Sequence, residues 1–227
     1  MFLFNKIFLS ILFILLTKSY SYGQQALNFD NQELVSFQKS LIDDEVTGGN
    51  VAMIYSKGKK LYHEIVQSNK QGDKLINDQT IFPIWSMSKP ITIIAMMKLH
   101  EQGKFDWEDP VSNYIPSFKN LNYKEGDEIK KCKKKLRIIH LMTHRSGFNY
   151  YHRIPDSTSK KYGYWTQFND LESFVKTAAK YPLEFEPGTK YLYGINQAIL
   201  GRIIEVLSDM RFEQFLKKNI FDPLDMQ

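Results

Sequence analysis

The sequence predicts an α+β fold in which a short antiparallel sheet precedes a mostly helical region. Two observations lead to this prediction. Two strand-like runs, 51–55 and 61–66, lie close together near the start, and from Ser86 onward apolar residues recur at helical spacing. With 227 residues, of which 43% are hydrophobic and 24% charged, the chain can bury a sizeable core, and a disordered class is excluded.

The first 23 residues have the pattern of a secretory signal peptide. Asn5 and Lys6 precede an apolar run, 7–16, and small and polar residues follow at 19–23. This run is much shorter than the roughly 20 residues that a membrane-spanning helix needs. We therefore expect cleavage near Gly23, a periplasmic or secreted protein without a transmembrane segment, and one domain over residues 24–227.

The first elements after this segment are a helix and a hairpin. Asn31 can cap the helix, whose apolar residues recur at helical spacing, and Gly58 suits a tight turn between the two strand-like runs. The run 51–55 is apolar on both faces, which predicts a central strand covered on each side. Because a two-stranded hairpin is marginal by itself, further strands are expected to complete the sheet, but no later segment is clearly one of them.

Four helices are predicted in the second part. The first runs from Ser86 to a C-terminal cap at Gly103, and it is apolar nearly all round, which predicts burial. Asp170 is expected to cap a helix over 171–179. The segment 197–207 carries a single apolar stripe, and a last short helix contains three apolar residues, namely Phe212, Phe215 and Leu216.

Ser86 and Lys89 are the candidate catalytic pair. A serine hydroxyl is a weak nucleophile until a base takes its proton, and a lysine one helical turn away can do this if its surroundings favour the neutral amine. A serine at the start of a helix also lies near free backbone N–H groups, which favour negative charge on a substrate oxygen.

The bare Ser-x-x-Lys spacing is weak support, because it occurs five times in the chain. Ser36 and Ser173 lie within amphipathic helices, Ser56 lies in the hairpin turn, and Ser157 lies in a polar loop. Ser86 is the copy that opens a buried helix after an apolar stretch. Pro90 agrees with this position, since proline is tolerated in the first turn of a helix.

These residues also carry a resemblance to a known family. Residues 82–92, FPIWSMSKPIT, resemble the first motif of the superfamily of class C beta-lactamases, DD-peptidases and related esterases. The stretches 103–118 and 140–148 resemble the segments that follow it, and 187–189 resembles the Pro-Gly-Thr that precedes the second motif. The resemblance extends over about 48–226 with its motifs in the expected order.

The resemblance implies a serine beta-lactamase/DD-peptidase-like fold, an antiparallel sheet flanked by helices plus a mostly helical subdomain. It implies Ser86 as the acylated residue and places the second motif at 193–195, with Tyr193 as general base. Ile195 replaces the asparagine that holds the substrate amide in lactamases, which favours esters over beta-lactams. Asn196 follows one position later and is a second candidate for substrate binding.

Two aspartates stand where the family pattern has turn residues. Asp209 occupies a position where the family usually has glycine, and Asp225 lies in the Pro-Leu-x-Met segment near the last residue. Both are expected in the left-handed conformation, which aspartate tolerates better than most residues.

The third motif of the family, Lys-Thr-Gly or a His/Trp-Gly equivalent on a later strand, has no match before Gln227. We therefore expect a C-terminally truncated domain that lacks the remaining strands. In the family this motif supplies one oxyanion-hole N–H, and the loss of one such donor lowers the rate about a hundredfold to a thousandfold.

Several other functions are disfavoured. The lysine run 130–135 is interpreted as a solvated loop, not a nucleic-acid site, because no aromatic residues interrupt it. Its lysines could lower the pKa of the Cys132 thiol, but nothing indicates a pocket or a base there. His144 lacks an acidic partner at an interpretable spacing, and the histidines form no metal-ligand pattern, so we expect neither a catalytic triad, nor a metal, nor another cofactor.

The leading hypothesis is an exported serine hydrolase that acts on a small-molecule ester or amide through an acyl-enzyme. Ser86 attacks, and Lys89 and Tyr193 transfer protons. The first alternative is a beta-lactamase or DD-carboxypeptidase acting on penicillins or cell-wall peptides. The alternative of another class is an inactive binding protein that keeps the first motifs and lacks the strand that closes the site.

Overall fold

The computed structural model describes residues 31–150 and 168–226, and its chain divides into two compact units, one ending at Pro83 and one beginning at Ile84. The predicted signal peptide and the Ser157 copy of the Ser-x-x-Lys pattern lie outside the described residues. A search of those residues finds no helix with the length and apolar character needed to cross a membrane.

The first unit contains one helix and one hairpin. Helix α1 is Gln32–Asp43, and strands β1, Gly49–Ser56, and β2, Lys59–Gln67, pair antiparallel with a register shift between Ile54 and Tyr55. Gln38 on α1 is only 2% exposed, and its amide donates to Asn50 Oδ1 at 2.8 Å. A buried polar contact therefore joins the helix to the hairpin.

Strand β1 differs from the sequence prediction. In the described residues it belongs to a two-stranded sheet with β2, and Met53 and Tyr55 are 51% and 58% exposed. The prediction of a strand covered on both faces is therefore wrong for this part of the chain. An apolar pattern shows that both faces of a strand are suited to burial, but it does not show which segments cover them.

The second unit is mainly helical. Ser86 lies in a 3₁₀ turn, Trp85–Ser88, which leads directly into α2. The elements that follow are helices α2 (Lys89–Glu101), α3 (Ile138–Met142), α4 (Leu171–Ala178), α5 (Asn196–Ser208) and α6 (Phe212–Leu216), strands β3 (Asn122–Glu125) and β4 (Glu128–Lys131), a π-helical turn (Lys217–Phe221) and 3₁₀ turns at Val111–Asn113, Pro116–Phe118 and Asp222–Leu224.

Helix α5 lies at the centre of this unit and contacts α2, α3, α4 and α6. The apolar stripe predicted from the sequence is buried, and four of its residues are fully enclosed, namely Ile199, Leu200, Ile203 and Ile204. This packing fixes the end of α5 that carries Asn196 relative to the start of α2, and so it positions the segment that contains Tyr193.

Helix α2 is buried on one face only, although its sequence predicts burial nearly all round. Ala95, Met96 and Leu99 are enclosed, while Ile94 and Met97 are 51% and 49% exposed in the described structure. The buried residues recur at the helical spacing of one face, the face that contacts α5. The prediction of complete burial is therefore wrong for the described residues.

The second hairpin, β3–β4, was missed by the sequence analysis. Its strands are rich in charged residues and lack the alternation of apolar and polar side chains that predicts a strand. Backbone hydrogen bonds hold it instead: Lys124 N–H donates to Leu183 O at 2.8 Å, and Leu183 N–H donates to Asn122 O at 2.8 Å. Lys130 and Lys131, predicted to be in a loop, therefore belong to β4.

Three aspartates behave as the local sequence predicts, whereas Asn31 lies at the N-cap of α1 but its side chain makes no capping hydrogen bond. The Asp170 carboxylate accepts a hydrogen bond from Ser173 N–H at the start of α4, as a capping residue should. Asp209 and Asp225 both have φ of 53°, which confirms the predicted left-handed conformation.

Candidate active site

Ser86 is presented by a short, sharply turned segment. Trp85, immediately before it, has φ of 46°, a conformation that few non-glycine residues adopt. Lys89 N–H donates to Ser86 O, so the turn passes into α2 without a break. As a result, the Lys89 side chain returns to the serine, and its Nζ donates to Ser86 Oγ at 3.0 Å.

Tyr193 approaches the same oxygen from the segment before α5. Its Oη lies 2.7 Å from Ser86 Oγ, and Lys89 Nζ lies 4.8 Å from the centre of its ring. Hydrogen bonding to the Lys89 ammonium, and secondly to Ser86, lowers the pKa of the Tyr193 phenol below its usual value. Three predicted site residues, Ser86, Lys89 and Tyr193, are therefore brought together.

This arrangement can activate the serine. Ser86 is exposed, so a carbonyl compound can reach its Oγ. A phenol whose pKa is lowered by an adjacent cation forms the phenolate more readily, and the phenolate can accept the serine proton and return it to a leaving group. Among the described residues, Lys89 is the cation in contact with both hydroxyl groups.

Two aromatic rings fix the orientation of Tyr193. His144 stacks on it with ring centres 4.9 Å apart and an interplanar angle of 24°, and Tyr150 stacks on it at 5.8 Å and 11°. Lys89 Nζ also lies 5.9 Å from the Tyr150 ring. The sequence does not mark Tyr150 as a site residue, and the one signal for it is its position just after the segment 140–148.

Gly194 allows the segment to reach the site. A Cβ at this position would lie 1.9 Å from the carbonyl oxygen of Phe148, which is impossible without movement of the backbone. Glycine is therefore required here by close approach of two backbone segments, and this approach brings Tyr193 toward Ser86.

The two predicted substrate-binding residues lie beneath the site surface. Ile195 is 6% exposed and lines a neighbouring cavity. Asn196 is fully buried, its Nδ2 lies 2.7 Å from His144 Nδ1, and its Oδ1 accepts from Ser146 Oγ. In this structure both polar atoms of Asn196 are engaged by protein groups, which differs from the expected contact with a substrate.

His144 is placed beside Tyr193 and not beside the serine as a base. Burial, and secondly the nearby Lys89 cation, lower the pKa of its imidazole below the usual value. The neutral ring is therefore favoured near pH 7.

A cavity of about 1050 Å³ adjoins Lys89 between α2 and α5. Apolar side chains line part of it, and Arg202 with its ion-pair partners Glu172 and Glu205 lines another part. Gln197 also lines it, and its buried Oε1 has no hydrogen-bond partner among the described residues.

Other predicted features lie away from this site. Burial raises the pKa of the Cys132 thiol to about 11, contrary to the effect considered for the neighbouring lysines. Within 31–150 and 168–226, no group of three or more His, Cys, Asp or Glu side chains is placed to hold a metal ion.

Comparison with known proteins identifies the family of the chain. The Beta-lactamase family model matches residues 37–227. A curated relative from Salmonella agona, named "Putative D-alanyl-D-alanine carboxypeptidase", is 35% identical over 156 residues, which are 67% of this chain and 34% of the relative. The chain thus spans about a third of the length of this curated relative.

Solved structures show the same fold. "EstCE1, a hydrolase with promiscuous acyltransferase activity" superposes with a TM-score of 0.70 at 24% identity, over 85% of this chain and 50% of that one. The "octameric penicillin-binding protein homologue from Pyrococcus abyssi" gives a TM-score of 0.64 at 25% identity, over 88% and 44%. The α+β fold is therefore beta-lactamase-like, and the chain belongs to the Beta-lactamase family of serine hydrolases.

Proposed function

We propose that this protein is an exported serine hydrolase that forms an acyl-enzyme on Ser86. The observation that carries the proposal is the convergence of two groups on one oxygen. Lys89 Nζ lies 3.0 Å, and Tyr193 Oη 2.7 Å, from Ser86 Oγ. The serine, a cationic partner and a group able to accept a proton are the components that nucleophilic catalysis needs.

The reaction proceeds in two steps. Ser86 Oγ forms a bond to the substrate carbonyl carbon while its proton moves to the phenolate of Tyr193, which the Lys89 cation stabilises before the attack. Collapse of the tetrahedral intermediate breaks the bond to the leaving group, which takes the proton from Tyr193. Water then attacks the ester on Ser86, gives its proton to the same pair, and releases the acid and the free serine.

We favour a carboxylic ester as the substrate class. Ile195 stands where the family pattern has an asparagine that would offer a polar contact to an amide, and its buried apolar side chain lines the cavity next to the site. The EstCE1 structure, described as a hydrolase with promiscuous acyltransferase activity, supports an ester substrate by analogy of fold alone.

A D-alanyl-D-alanine peptide is the second candidate. The curated relative from Salmonella agona carries the name of a carboxypeptidase for this bond at 35% identity. Parallel assays with a short-chain nitrophenyl ester, a D-Ala-D-Ala peptide and nitrocefin distinguish an esterase from a carboxypeptidase and from a beta-lactamase.

Labelling with a fluorophosphonate tests the mechanism directly. Mass spectrometry of the purified protein should place the label on Ser86. Ser86→Ala should abolish labelling, and Tyr193→Phe should slow it by about a hundredfold or more, because a general base is lost. Ser36→Ala is the matched control, since the exposed Ser36 has the same spacing to a lysine and should leave labelling unchanged.

A folded protein that never labels on Ser86, yet binds penicillin reversibly, would favour the alternative of a non-catalytic binding protein. Circular dichroism and a cooperative unfolding transition establish folding independently of activity.

Export is proposed from the residues before the described part of the chain. Lys6, the apolar run 7–16 and the small residues up to Gly23 form a signal-peptide pattern. Expression in a bacterial host and N-terminal sequencing of the periplasmic product should show a new terminus near Gly23. Retention of Met1 on a cytoplasmic product would contradict export.

A further inference from the structure

A buried chain of polar groups leads from the core to the Tyr193 ring. Ser146 and Asn196 are both fully buried, and Ser146 Oγ donates to Asn196 Oδ1. On its other side the Asn196 amide lies 2.7 Å from His144 Nδ1, and the His144 ring stacks on Tyr193. The catalytic steps proposed above do not use Ser146, Asn196 or His144.

Donor and acceptor can be assigned for each hydrogen bond between Ser146, Asn196 and His144. Phe148 N–H donates to Ser146 Oγ at 3.1 Å, so the serine oxygen acts as an acceptor there and its own hydrogen is free to point to Asn196. That hydrogen can be accepted only by Oδ1 of the amide. The Nδ2 group of Asn196 therefore faces His144 and donates to it.

The hydrogen bonds to His144 also determine which ring nitrogen carries its proton. Its Nδ1 receives Asn196 Nδ2–H at 2.7 Å, and Gly194 N–H also points to it at 3.5 Å. A ring nitrogen that accepts a hydrogen bond carries no proton, so the imidazole is neutral with its hydrogen on Nε2. Burial and the charge of Lys89 act in the same direction, because both disfavour an imidazolium.

Backbone geometry holds this ring in place. His144 has φ of 54°, and its carbonyl oxygen accepts from Leu192 N–H at 2.8 Å. The segment that carries Tyr193 is thus bonded to His144 through the main chain and stacked on it through the side chain. A shift of His144 would move the tyrosine relative to Ser86.

We propose that His144 is a positioning residue for Tyr193, and that the buried pair Ser146–Asn196 keeps its ring neutral so that Lys89 alone sets the charge around the tyrosine hydroxyl. This inference rests on the proposed role of Tyr193 as proton acceptor. It assigns Asn196 a function through His144, in place of the substrate contact expected from the sequence.

The groups that face His144 come from three parts of the fold. Lys89 from α2 is the charged group that acts on the imidazole in the described structure. Tyr191 contacts it edge-on with ring centres 6.0 Å apart, Tyr193 stacks on it, and Asn196 at the start of α5 bonds to it. A positive charge on His144 would therefore lie beside the cation and the phenol of the catalytic group.

Asn196→Asp is the decisive variant. The aspartate has the same shape and still accepts from Ser146, but it cannot donate to Nδ1. Its carboxylate instead accepts a hydrogen bond from a protonated Nδ1 and raises the pKa of the imidazole, so that His144 keeps protons on both ring nitrogens up to a higher pH and forms a second cation beside Tyr193. The pKa of Tyr193 should fall, and the acid-side limb of the pH profile for Ser86 labelling should move to lower pH by about one unit.

A double variant separates this effect from the charge of the new aspartate. His144→Phe keeps a stacked ring that cannot titrate, so the limb should stay near its original pH. In the background of His144→Phe, Asn196→Asp should no longer move the limb downward. A downward shift of equal size in both backgrounds would overturn the proposal.

Nitrogen NMR of the imidazole gives a readout that does not depend on catalysis. In the unchanged protein near neutral pH, the His144 signals, assigned by their loss in His144→Phe, should show a proton on Nε2 and none on Nδ1. A proton on Nδ1 would overturn the proposal even if Asn196→Asp failed to fold. If no variant labels Ser86 while the tautomer is as expected, the proposed function fails and the neutral state of His144 stands.

Discussion

The hydroxyl of Tyr193 lies 2.7 Å from the Oγ of Ser86, although 107 residues separate the two in the chain. Neither residue is buried, so hydrophobic enclosure of the side chains does not hold them together. The contact depends on the backbones beneath them, the turn at Trp85 and the close approach of Gly194 to Phe148. The chemistry of the site therefore depends on how accurately these two segments are placed.

The charge of Lys89 should control the ionisation of Tyr193. Lys89→Met removes the ammonium that lowers the pKa of the phenol, so this pKa should rise and the phenolate should form at higher pH. Ultraviolet titration measures it, as the difference between each protein and the same protein with Tyr193→Phe. An unchanged or lowered Tyr193 pKa in Lys89→Met would contradict the role assigned to the cation.

Gly194→Ala should be strongly destabilising. The added Cβ would lie 1.9 Å from Phe148 O, and relief of this overlap requires movement of the main chain, which costs about 2–3 kcal/mol in the free energy of unfolding. Urea denaturation measures this loss, and Ser86 labelling should slow in the same variant because Tyr193 moves.

Gly201→Ala is the matched control for this substitution. Its Cβ would meet the flexible end of Leu171 at 3.0 Å, and alanine is favoured over glycine within α5 by about 1 kcal/mol. The change in the free energy of unfolding should therefore stay within about 1 kcal/mol. Equal losses for the two variants would show that the close approach at Gly194 is not what matters.

Features that depend on local spacing can be predicted from a single sequence, and features that depend on tertiary contacts cannot. The Ser86–Lys89 pair and the stripe on α5 depend on local spacing, which the sequence records directly. The position of Asn196 next to the second motif suggests substrate binding, but position alone does not determine which way a side chain points. Its direction follows from contacts with Ser146 and His144, some fifty residues away.

The hairpin β3–β4 and the stacking of Tyr150 on Tyr193 cannot be predicted from the sequence, because both depend on contacts between distant segments. A charged strand lacks the alternation that identifies it, and its pairing with Leu183 is a tertiary contact. On α2 the sequence predicts too much burial: its apolar composition predicts an enclosed helix, but one face is exposed in the described residues.

The Asp109 carboxylate should contribute to stability in a pH-dependent way. Its Oδ2 accepts from Asp106 N–H at 2.8 Å and from Tyr114 Oη at 2.6 Å, and these bonds lower the pKa of the carboxyl group. A lowered pKa in the folded state means that the stabilisation is present above the unfolded pKa of about 4 and is lost as the pH falls through the folded pKa.

Asp109→Asn should therefore lower the free energy of unfolding at pH 7 by about 1 kcal/mol, a value reduced by solvent screening of this partly exposed group. The difference between the two proteins should shrink as the pH falls from about 4 through the folded pKa. Urea denaturation over a series of pH values tests this. A difference that is constant or grows toward acid pH would contradict the role of the ionised carboxylate.

The core of the second unit should depend on Ile203 of α5 far more than on Ile94 of α2. Ile203 is fully buried, so Ile203→Ala removes packed methylene groups and leaves a cavity, with an expected loss of about 2–5 kcal/mol in the free energy of unfolding. Ile94→Ala makes the same chemical change on α2 at a position that is 51% exposed, and its effect should stay within about 0.5 kcal/mol. Denaturant unfolding of both variants measures the contrast. A loss at Ile94 as large as that at Ile203 would mean that the exposed face of α2 is covered in the folded protein, and it would restore the burial that the sequence predicts for this helix.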